Sequence, residues 1–477
     1  MNVSNLKELQ NINFRLPRVD NLVNNEQINP FCRLLSTPLV TSIVRQILSE
    51  IRATEEFKHG AYHDYAVIAS IVEECERIFA YKQKKVINAT GILIHTNLGR
   101  SPIDREVWQD VTEINTGFCN LEIDLTTGKR GQRHGLLPRL LSQWVGCEDA
   151  IVVNNNAASL FLMLSALAKD KEVIVSRGEL VQIGGGFRIP DILAATGAKL
   201  VEVGTTNITH ENDYLDAINE NTAAILLVHK SNFTIDGFCQ EPNLDNLVKN
   251  TPKHIHIMVD QGSGFCNEFD LPRERSIDTY LRKGVDLVCF SGDKLLGGPQ
   301  SGLIVGRQEL VTKLNKHPMF RTFRSGRLVL SLLESLLIRK LNKQSSHCVS
   351  SLNRQDEVNY LEQFAEYWNP LLSVCQLETQ IGGGAAPFQT YSSMGFEFHL
   401  PGSPQDHLEQ FRRMPTPIIG YISKGRFVLN VSSVLEHEMD VFCRQLNDYL
   451  VSTKWIATVQ KEHCFVKLRP NQPRLPF

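Results

Sequence analysis

Nothing in this sequence marks it for export, for a membrane or for a metal. Its eleven cysteines never fall within a C-x-x-C or similar short spacing, which excludes the usual zinc motifs and a disulfide framework and leaves reduced thiols. The opening residues, MNVSNLKELQNINFRLP, lack the basic-then-apolar order of a signal peptide, and no apolar run approaches the roughly 20 residues that span a bilayer. Charge of neither sign is in excess: a net −2 over 477 residues gives no general basic field, so a nucleic-acid partner has to be met by a local patch. The expectation is a soluble cytoplasmic protein with no membrane, no DNA and no metal. At 42% hydrophobic and 21% charged residues, it has enough apolar surface for two or three domains.

What the chain does contain centres on Asp286 to Gly306, DLVCFSGDKLLGGPQSGLIVG, read as a buried strand, a turn bearing Lys294, and a returning strand. A lysine between Ser-Gly-Asp and Leu-Leu-Gly-Gly-Pro belongs on a loop, because the Gly/Pro cluster breaks both helical and strand periods. Loops at strand ends are where α/β proteins collect catalytic groups. A lone lysine there suits Schiff-base chemistry with an aldehyde cofactor, pyridoxal phosphate being the common case. The cofactor's ring nitrogen needs an acid, and the strand Ile255 to Asp260 supplies one in Asp260, ahead of the turn Gln261-Gly262-Ser263-Gly264. Ser291 stands on the phosphate side. Taken singly, a Gly-loop lysine is usually a solvated surface residue and an aspartate closing a strand is usually a turn former. The order Asp, turn, Lys across consecutive strands favours the cofactor site.

Around this centre the pattern alternates between β-branched runs and helical segments. Strands are expected at Ala150 to Asn154, Glu172 to Ser176, Lys199 to Val203, Ala224 to His229, Ile255 to Asp260 and Asp286 to Phe290, giving a mostly parallel sheet covered on both faces. Asn155 and Asn156 lead into a helix over 157–168, whose free N–H groups are a ready phosphate site. Loops after the strands carry Arg177 and Glu179, Gly184 to Gly186, Lys230-Ser231-Asn232, Asp260 and Lys294, and one crevice is expected to gather them. Val86 to Pro102, VINATGILIHTNLGRSP, sets Asn88, Thr90, His95, Asn97 and Arg100 in an apolar frame, as chain passing a ligand does; a buried, internally satisfied loop is the alternative. Arg321, Arg324 and Arg327 lie three apart, a spacing that shares one helix face and serves either solvation or an anionic substrate.

The ends read as separate units. An N-terminal helix starts at Thr37-Pro38 with an apolar stripe of Leu39, Val40, Ile43, Val44, Ile47, Leu48 and Ile51, and a second stripe runs from Ile68 to Phe79. From about residue 350 a helical stretch, the Gly382-Gly383-Gly384 turn, strands at 395–399, 418–422 and 426–431 and a helix over 436–450 suggest a small α+β domain. The domains are expected at 1–75, 76–345 and 346–477.

With these motifs in view, the chain resembles the bacterial L-seryl-tRNA(Sec) selenium transferases along nearly its whole length. The resemblance is carried by VINATGILIHTNLGRSP at 86, NLEIDLTTGKRG at 120, VVNNNAAS at 152, VSRGELVQIGGGFRIPDI at 175, GAKLVEVGTTNITH at 197, VDQGSG at 259 and FSGDKLLGGPQSGLIVG at 290, with FRLPRVDNLV at 14 similar to the start of the family's tRNA-binding domain. It implies an α/β, fold-type I pyridoxal phosphate enzyme with a small helical N-terminal domain and an α+β C-terminal domain. It also implies a homodecamer built as a pentamer of dimers, which replaces the seryl hydroxyl on tRNA(Sec) by selenium from selenophosphate through an aminoacrylyl-tRNA. Carried over, Lys294 is the cofactor lysine with Asp293 its functional neighbour, Asp260 faces the ring nitrogen, and Arg100, Arg321 and Arg324 surround the donor's phosphate-like group. The chain departs from the family pattern at Ser325-Gly326-Arg327, at Gln182 and at Asn430-Val431-Ser432. Related folds also run lyase and aminotransferase chemistry on small amino acids or sugar acids, and a non-catalytic tRNA-binding protein is the rival of another class. The N-terminal helices speak against the first, and intact Lys294 and Asp260 against the second.

Overall fold

The structure, a computed structural model, describes residues 16–58, 64–183, 186–230, 237–267, 274–344 and 356–452, with the single positions 233, 235 and 271. The chain forms two compact units, Met1–Lys85 and Val86–Phe477.

The first unit is helical. Thr37–Ala53 and Asp64–Phe79 are its long helices, preceded by the short Val19–Val23 and Asn29–Leu35. The stripe of Thr37–Ala53 buries Val40, Ile43, Val44, Ile47, Leu48 and Ile51 against Val67, Ile71 and Cys75. Leu39, expected in that stripe, is 39% exposed, because it sits at the edge of the arc that the neighbouring helices cover. Ser36 occupies the cap position and Pro38 lies in the first turn, where its missing N–H costs nothing. Ile71 is fully buried. Ile71→Ala is therefore expected to destabilise this unit by about 2–5 kcal/mol, the range for truncating a core aliphatic. Hydrogen exchange should show the loss in amides of the two long helices and leave the amides of the second unit unchanged.

The second unit is built on a seven-stranded sheet. Its strands are Asp149–Val153 (β1), Glu172–Ser176 (β2), Lys199–Val203 (β3), Thr222–Val228 (β4), His256–Gly262 (β5), Leu287–Ser291 (β6) and Gly302–Gly306 (β7). The order across the sheet is β1-β7-β6-β5-β4-β2-β3, with β7 antiparallel to both neighbours and every other pair parallel. Alternate residues serve opposite cores: Ile257, Val259, Val288 and Phe290 on one face, Met258, Leu287 and Cys289 on the other. Helices cover both faces, so the strands are apolar throughout, as parallel strands buried on two sides must be. The parallel strands all end on one edge, and the candidate residues lie there.

A smaller sheet of five strands follows, in the order Tyr421–Ser423, Arg426–Asn430, Ala385–Phe398, Leu372–Gly382, Ile92–Ile94. Its last strand is borrowed from the start of the unit and runs parallel to Leu372–Gly382. Ile87–Asn88 likewise pairs with Ile418–Ile419. The C-terminal layer thus grips residues 87–94, which deliver Arg100 to the lysine turn. Its core is aromatic, with Phe396, Phe398, Phe411, Phe427 and Phe442 fully or nearly fully buried. The three departures from the family pattern are accommodated locally. Asn430 is fully buried and its amide donates to the Glu378 carbonyl, Thr379 Oγ1 and Ser393 Oγ. Arg133 donates to the Ser325 carbonyl, Arg327 caps the Gly117 and Asn115 carbonyls, and Gln182 accepts from Arg188. Among the described residues no helix is long and apolar enough to cross a membrane.

Candidate active site

Lys294 sits in a turn closed by backbone bonds. Gly292 N–H donates to the Ser301 carbonyl at 2.9 Å, Gly298 N–H to the Gly292 carbonyl at 2.8 Å and Gly297 N–H to the Lys294 carbonyl at 3.0 Å. Leu295 ties the turn to the neighbouring strand end through its N–H on the Ser263 carbonyl at 3.0 Å, and its side chain is buried with Ile94, Phe265 and Ile381. Lys294 itself is 8% exposed. Burial pushes its amine down from the ordinary lysine range; Asp260 pulls the other way, Arg100 works with burial, and Asp293 opposes it. An amine neutral part of the time is what a nucleophile or base requires.

Asp260, near the end of β5, is also buried, and burial pushes its carboxyl up, against the opposing effects of Asn156 and Lys294. Asn156 Nδ2 donates to Asp260 Oδ1 at 2.7 Å. Gly262 has φ +71°, and a Cβ built on it would lie 3.8 Å from Asp260 Oδ1 and 3.9 Å from Lys294 Nζ. Amine and carboxyl therefore both lie within ordinary contact distance of one spot at Gly262, whose positive φ favours glycine. Close by, a Cβ on Gly302 would come within 2.1 Å of the Asn155 carbonyl, so β7 packs flush against the start of the helix Asn156–Leu167. Among the described residues, Asn156 Oδ1 and Asp293 Oδ1 are buried without a hydrogen-bond partner. Orphaned polar atoms beside a desolvated amine and acid are what a site for a polar aromatic cofactor looks like from the protein side.

Asn155 caps the helix, its side-chain oxygen accepting from Ala158 N–H at 2.9 Å. The amides ahead of Ala158 are the helix-end donors for an anion. Ser291 is buried at the end of β6, three residues before the lysine. Arg100, at φ +66°, donates through Nη1 to Asp293 Oδ2 at 2.8 Å, and Ser101 N–H donates to the Asp293 carbonyl at 3.2 Å. Arg324 forms an antiparallel bridge with Val153 at the end of β1 and lies 3.6 Å from Glu122. That carboxylate is held more tightly by Arg133 at 2.6 Å and Arg130 at 3.0 Å, and these guanidiniums keep it below the usual carboxylate range.

The arginines do not share a helix face. Arg321 lies on the short helix Pro318–Phe323, Arg324 in the break that follows, and Arg327 begins the helix Arg327–Leu341. The break exists because residues 323–324 pair with the end of β1: Asn154 N–H donates to the Phe323 carbonyl at 3.0 Å. The stretch 88–97 is also mostly self-satisfied. Asn88 Nδ2 donates to the Ile92 carbonyl, Thr90 donates to Asn88 Oδ1, and His95 accepts from Asn97 N–H, so of the five polar residues expected near a ligand only Arg100 reaches the lysine turn. Arg177 is likewise outside the crevice, paired with Glu202 on β3 at 3.3 Å. Gly184, Gly185, Ser231 and Asn232, the first two residues of the leader at 14, and 345–355 lie outside the described residues.

Beside the lysine turn is a cavity of about 1000 Å³. Its wall joins the site through β4 and β5: Val228 is in register with Asp260, and His229 N–H donates to the Asp260 carbonyl at 2.9 Å. Two buried carboxyls line it. Glu179 accepts from Val228 N–H at 2.9 Å, and burial pushes its carboxyl up to about 8, which favours its protonated form. Glu274 accepts from Gln261 Nε2 at 3.2 Å and from Ala386 N–H at 3.1 Å. Sequence reasoning placed Glu179 on a strand-end loop but saw nothing in Glu274, because the strand reading ends at Asp260 and no local pattern announces a partner beyond it.

A family model described as L-seryl-tRNA selenium transferase matches residues 86–435. The chain is 38% identical over 454 residues to the L-seryl-tRNA(Sec) selenium transferase of Geotalea daltonii, covering 91% of this chain and 98% of that protein. It is also 38% identical over 450 residues to the enzyme of that name from Campylobacter concisus, covering 93% and 99%. Among solved structures, a D-glucosaminate-6-phosphate ammonia-lyase shares the fold at TM-score 0.53 and 22% identity, over 77% of this chain and 96% of that one. The fold is that of the fold-type I transferases, as expected.

Proposed function

Because the chain belongs to the L-seryl-tRNA selenium transferase family, we propose that it converts L-seryl-tRNA(Sec) to L-selenocysteinyl-tRNA(Sec), with pyridoxal 5′-phosphate as cofactor and selenophosphate as selenium donor. The observation that carries this reading is the buried pair of Lys294 amine and Asp260 carboxyl beside Gly262. The residues fit the cofactor: Lys294 for its aldehyde, Asp260 held by Asn156 for its ring nitrogen, and Ser291, Asn155 and the first-turn amides for its phosphate. Once bound, the cofactor supplies the electron sink for a carbanion at the seryl α-carbon.

The chain's own groups do the rest. Lys294, kept partly neutral by burial, takes the seryl α-proton and returns a proton as the β-hydroxyl leaves. Asp293 fixes Arg100 beside that amine. Arg100, Arg321 and Arg324 hold the donor's oxygens; guanidinium suits the task because its planar fork stays charged. The first unit, which runs to Lys85, binds the tRNA, residues 86–345 carry the site, and residues 346–477 belong to the C-terminal domain. The active form is a cytoplasmic homodecamer, a pentamer of dimers.

The deciding experiment asks whether the purified protein is yellow and retards tRNA(Sec) in preference to tRNA(Ser). A colourless protein, or one that treats the two tRNAs alike, would defeat the reading. Deleting residues 1–85 should keep the colour and lower affinity for tRNA(Sec) by at least about tenfold, since the unit that ends at Lys85 has a core of its own. A cut near 60 is less clean, because it would strip the apolar face of Asp64–Phe79 of its partners. Equal affinity of the cut and full-length proteins would remove the first unit from tRNA binding.

A further inference from the structure

The cavity beside the lysine turn is not accounted for by the amino acid or the donor. At about 1000 Å³ it is at the upper end of what drug-sized ligands fill, far more than a seryl group takes. Its described charges are mixed rather than gathered as a cluster of cations. Among the described residues of its wall, Lys230 is paired with Glu241 at 3.1 Å, the Arg275 guanidinium lies 5.3 Å from the Tyr280 ring centre, and the remaining charged groups are the carboxyls of Glu179 and Glu274. Such a wall accepts hydrogen bonds from hydroxyls and amines, and a carboxyl in its protonated form also donates. Tyr280, Phe233, Leu244 and Leu271 supply apolar surface alongside. A large, neutral-to-acidic, half-apolar chamber suits a neutral ligand with a flat ring and several hydroxyls.

It also lies where the substrate continues. In an aminoacyl-tRNA the amino acid is esterified to a hydroxyl of the terminal ribose, so sugar and base must lie within a few bonds of the reacting carbon. The cavity's wall is bonded to the lysine site from two directions, through Val228 and His229 to Asp260, and through Glu274, Gln261 and Ser263 to Leu295. We propose that this cavity is the subsite for the 3′-terminal nucleoside of the charged tRNA, with the Glu179 and Glu274 wall meeting the ribose and the Tyr280 side meeting the base. The proposal rests on the reading of the substrate above and adds to it the pocket that orients the ester.

Cys239 gives a direct probe, since it lines the cavity and is exposed. Adenosine, with which tRNA ends, should slow alkylation of Cys239 in the full-length protein at least about fivefold, while inorganic phosphate or free serine should not. An alkylation rate indifferent to adenosine would overturn the proposal. Independently, the protein should bind tRNA(Sec) about tenfold or more tightly than the same tRNA lacking its last nucleotide. Gln389→Trp, which fills the cavity from its rim, should erase that difference and leave the colour unchanged. If seryl-tRNA(Sec) is turned over but the two tRNAs bind wild type equally, the subsite is wrong and the reaction stands. If seryl-tRNA(Sec) is not turned over at all, the reading of the reaction falls first, and Cys239 protection then decides the cavity alone.

Discussion

Lys294→Ala is expected to yield a folded, colourless protein whose turnover of seryl-tRNA(Sec) falls by at least about 10⁴-fold, the upper end of what loss of a positioned base costs, with covalent capture of the cofactor lost besides. The amine is buried, with Asp260 and Asp293 both acting on its charge, and burial holds it below the ordinary lysine range. Two further lysines with little exposure are engaged elsewhere: Lys230 is bound to Glu241, and Lys340 lies 5.8 Å from the Trp144 ring on the helix Arg327–Leu341. Lys294→Arg should fail equally, because a guanidinium does not lose its proton. Folding should survive, since the turn is held by backbone bonds and by Leu295 rather than by the amine. Absorbance titration with added cofactor checks the result. Unchanged visible absorbance in Lys294→Ala would assign the cofactor to another lysine.

The sequence carried the site's poles and hid its supports, for physical reasons. Parallel strands buried on both faces are continuous apolar runs, so β1 to β6 were legible to within two residues, and Asp260 and Lys294 were legible as polar residues ending such runs in glycine-rich turns. Leu372–Gly382 was missed because its burial is irregular: only Leu372, Thr379 and Ile381 are buried, and the strand is stabilised by its hairpin partner rather than by an apolar stripe. The arginine triplet misled for a related reason, since an i, i+3 spacing means one face only if the helix continues, and the pairing of Arg324 with Val153 ends it. Glu122 with Arg324, Glu274 with Ala386 and Ile92–Ile94 with Leu372–Gly382 all join residues far apart in the chain, where no local period can reveal a contact. The helix-cap asparagines were legible as a pair but not in their division of labour: Asn155 caps the helix, while Asn156 reaches Asp260.

The double variant Arg321→Ala/Arg324→Ala is expected to slow selenium transfer by about 10² to 10⁴-fold while leaving elimination of the seryl hydroxyl nearly unchanged. Each charge-assisted contact is worth about 1.5–3 kcal/mol, and two independent ones sum to about 3–6 kcal/mol at the step that feels them. Elimination needs Lys294 and its neighbours, and neither arginine contacts them: Arg321 is exposed, and Arg324 has an ion contact with Glu122 at 3.6 Å. Arg100 is left out on purpose, because its pairing with Asp293 would make its loss felt in both halves of the reaction. The local fold should persist without Arg324, since Arg133 still holds Glu122 at 2.6 Å and the Ser325 carbonyl at 2.9 Å. Rapid-quench single turnover separates the steps: dehydration of the seryl group is followed without donor, then selenium incorporation after donor is added. Raising the donor concentration should restore part of the rate, because what is lost is grip on the donor's oxygens. If dehydration slows as much as incorporation, the two arginines serve the first half of the reaction and have no special part in holding the donor.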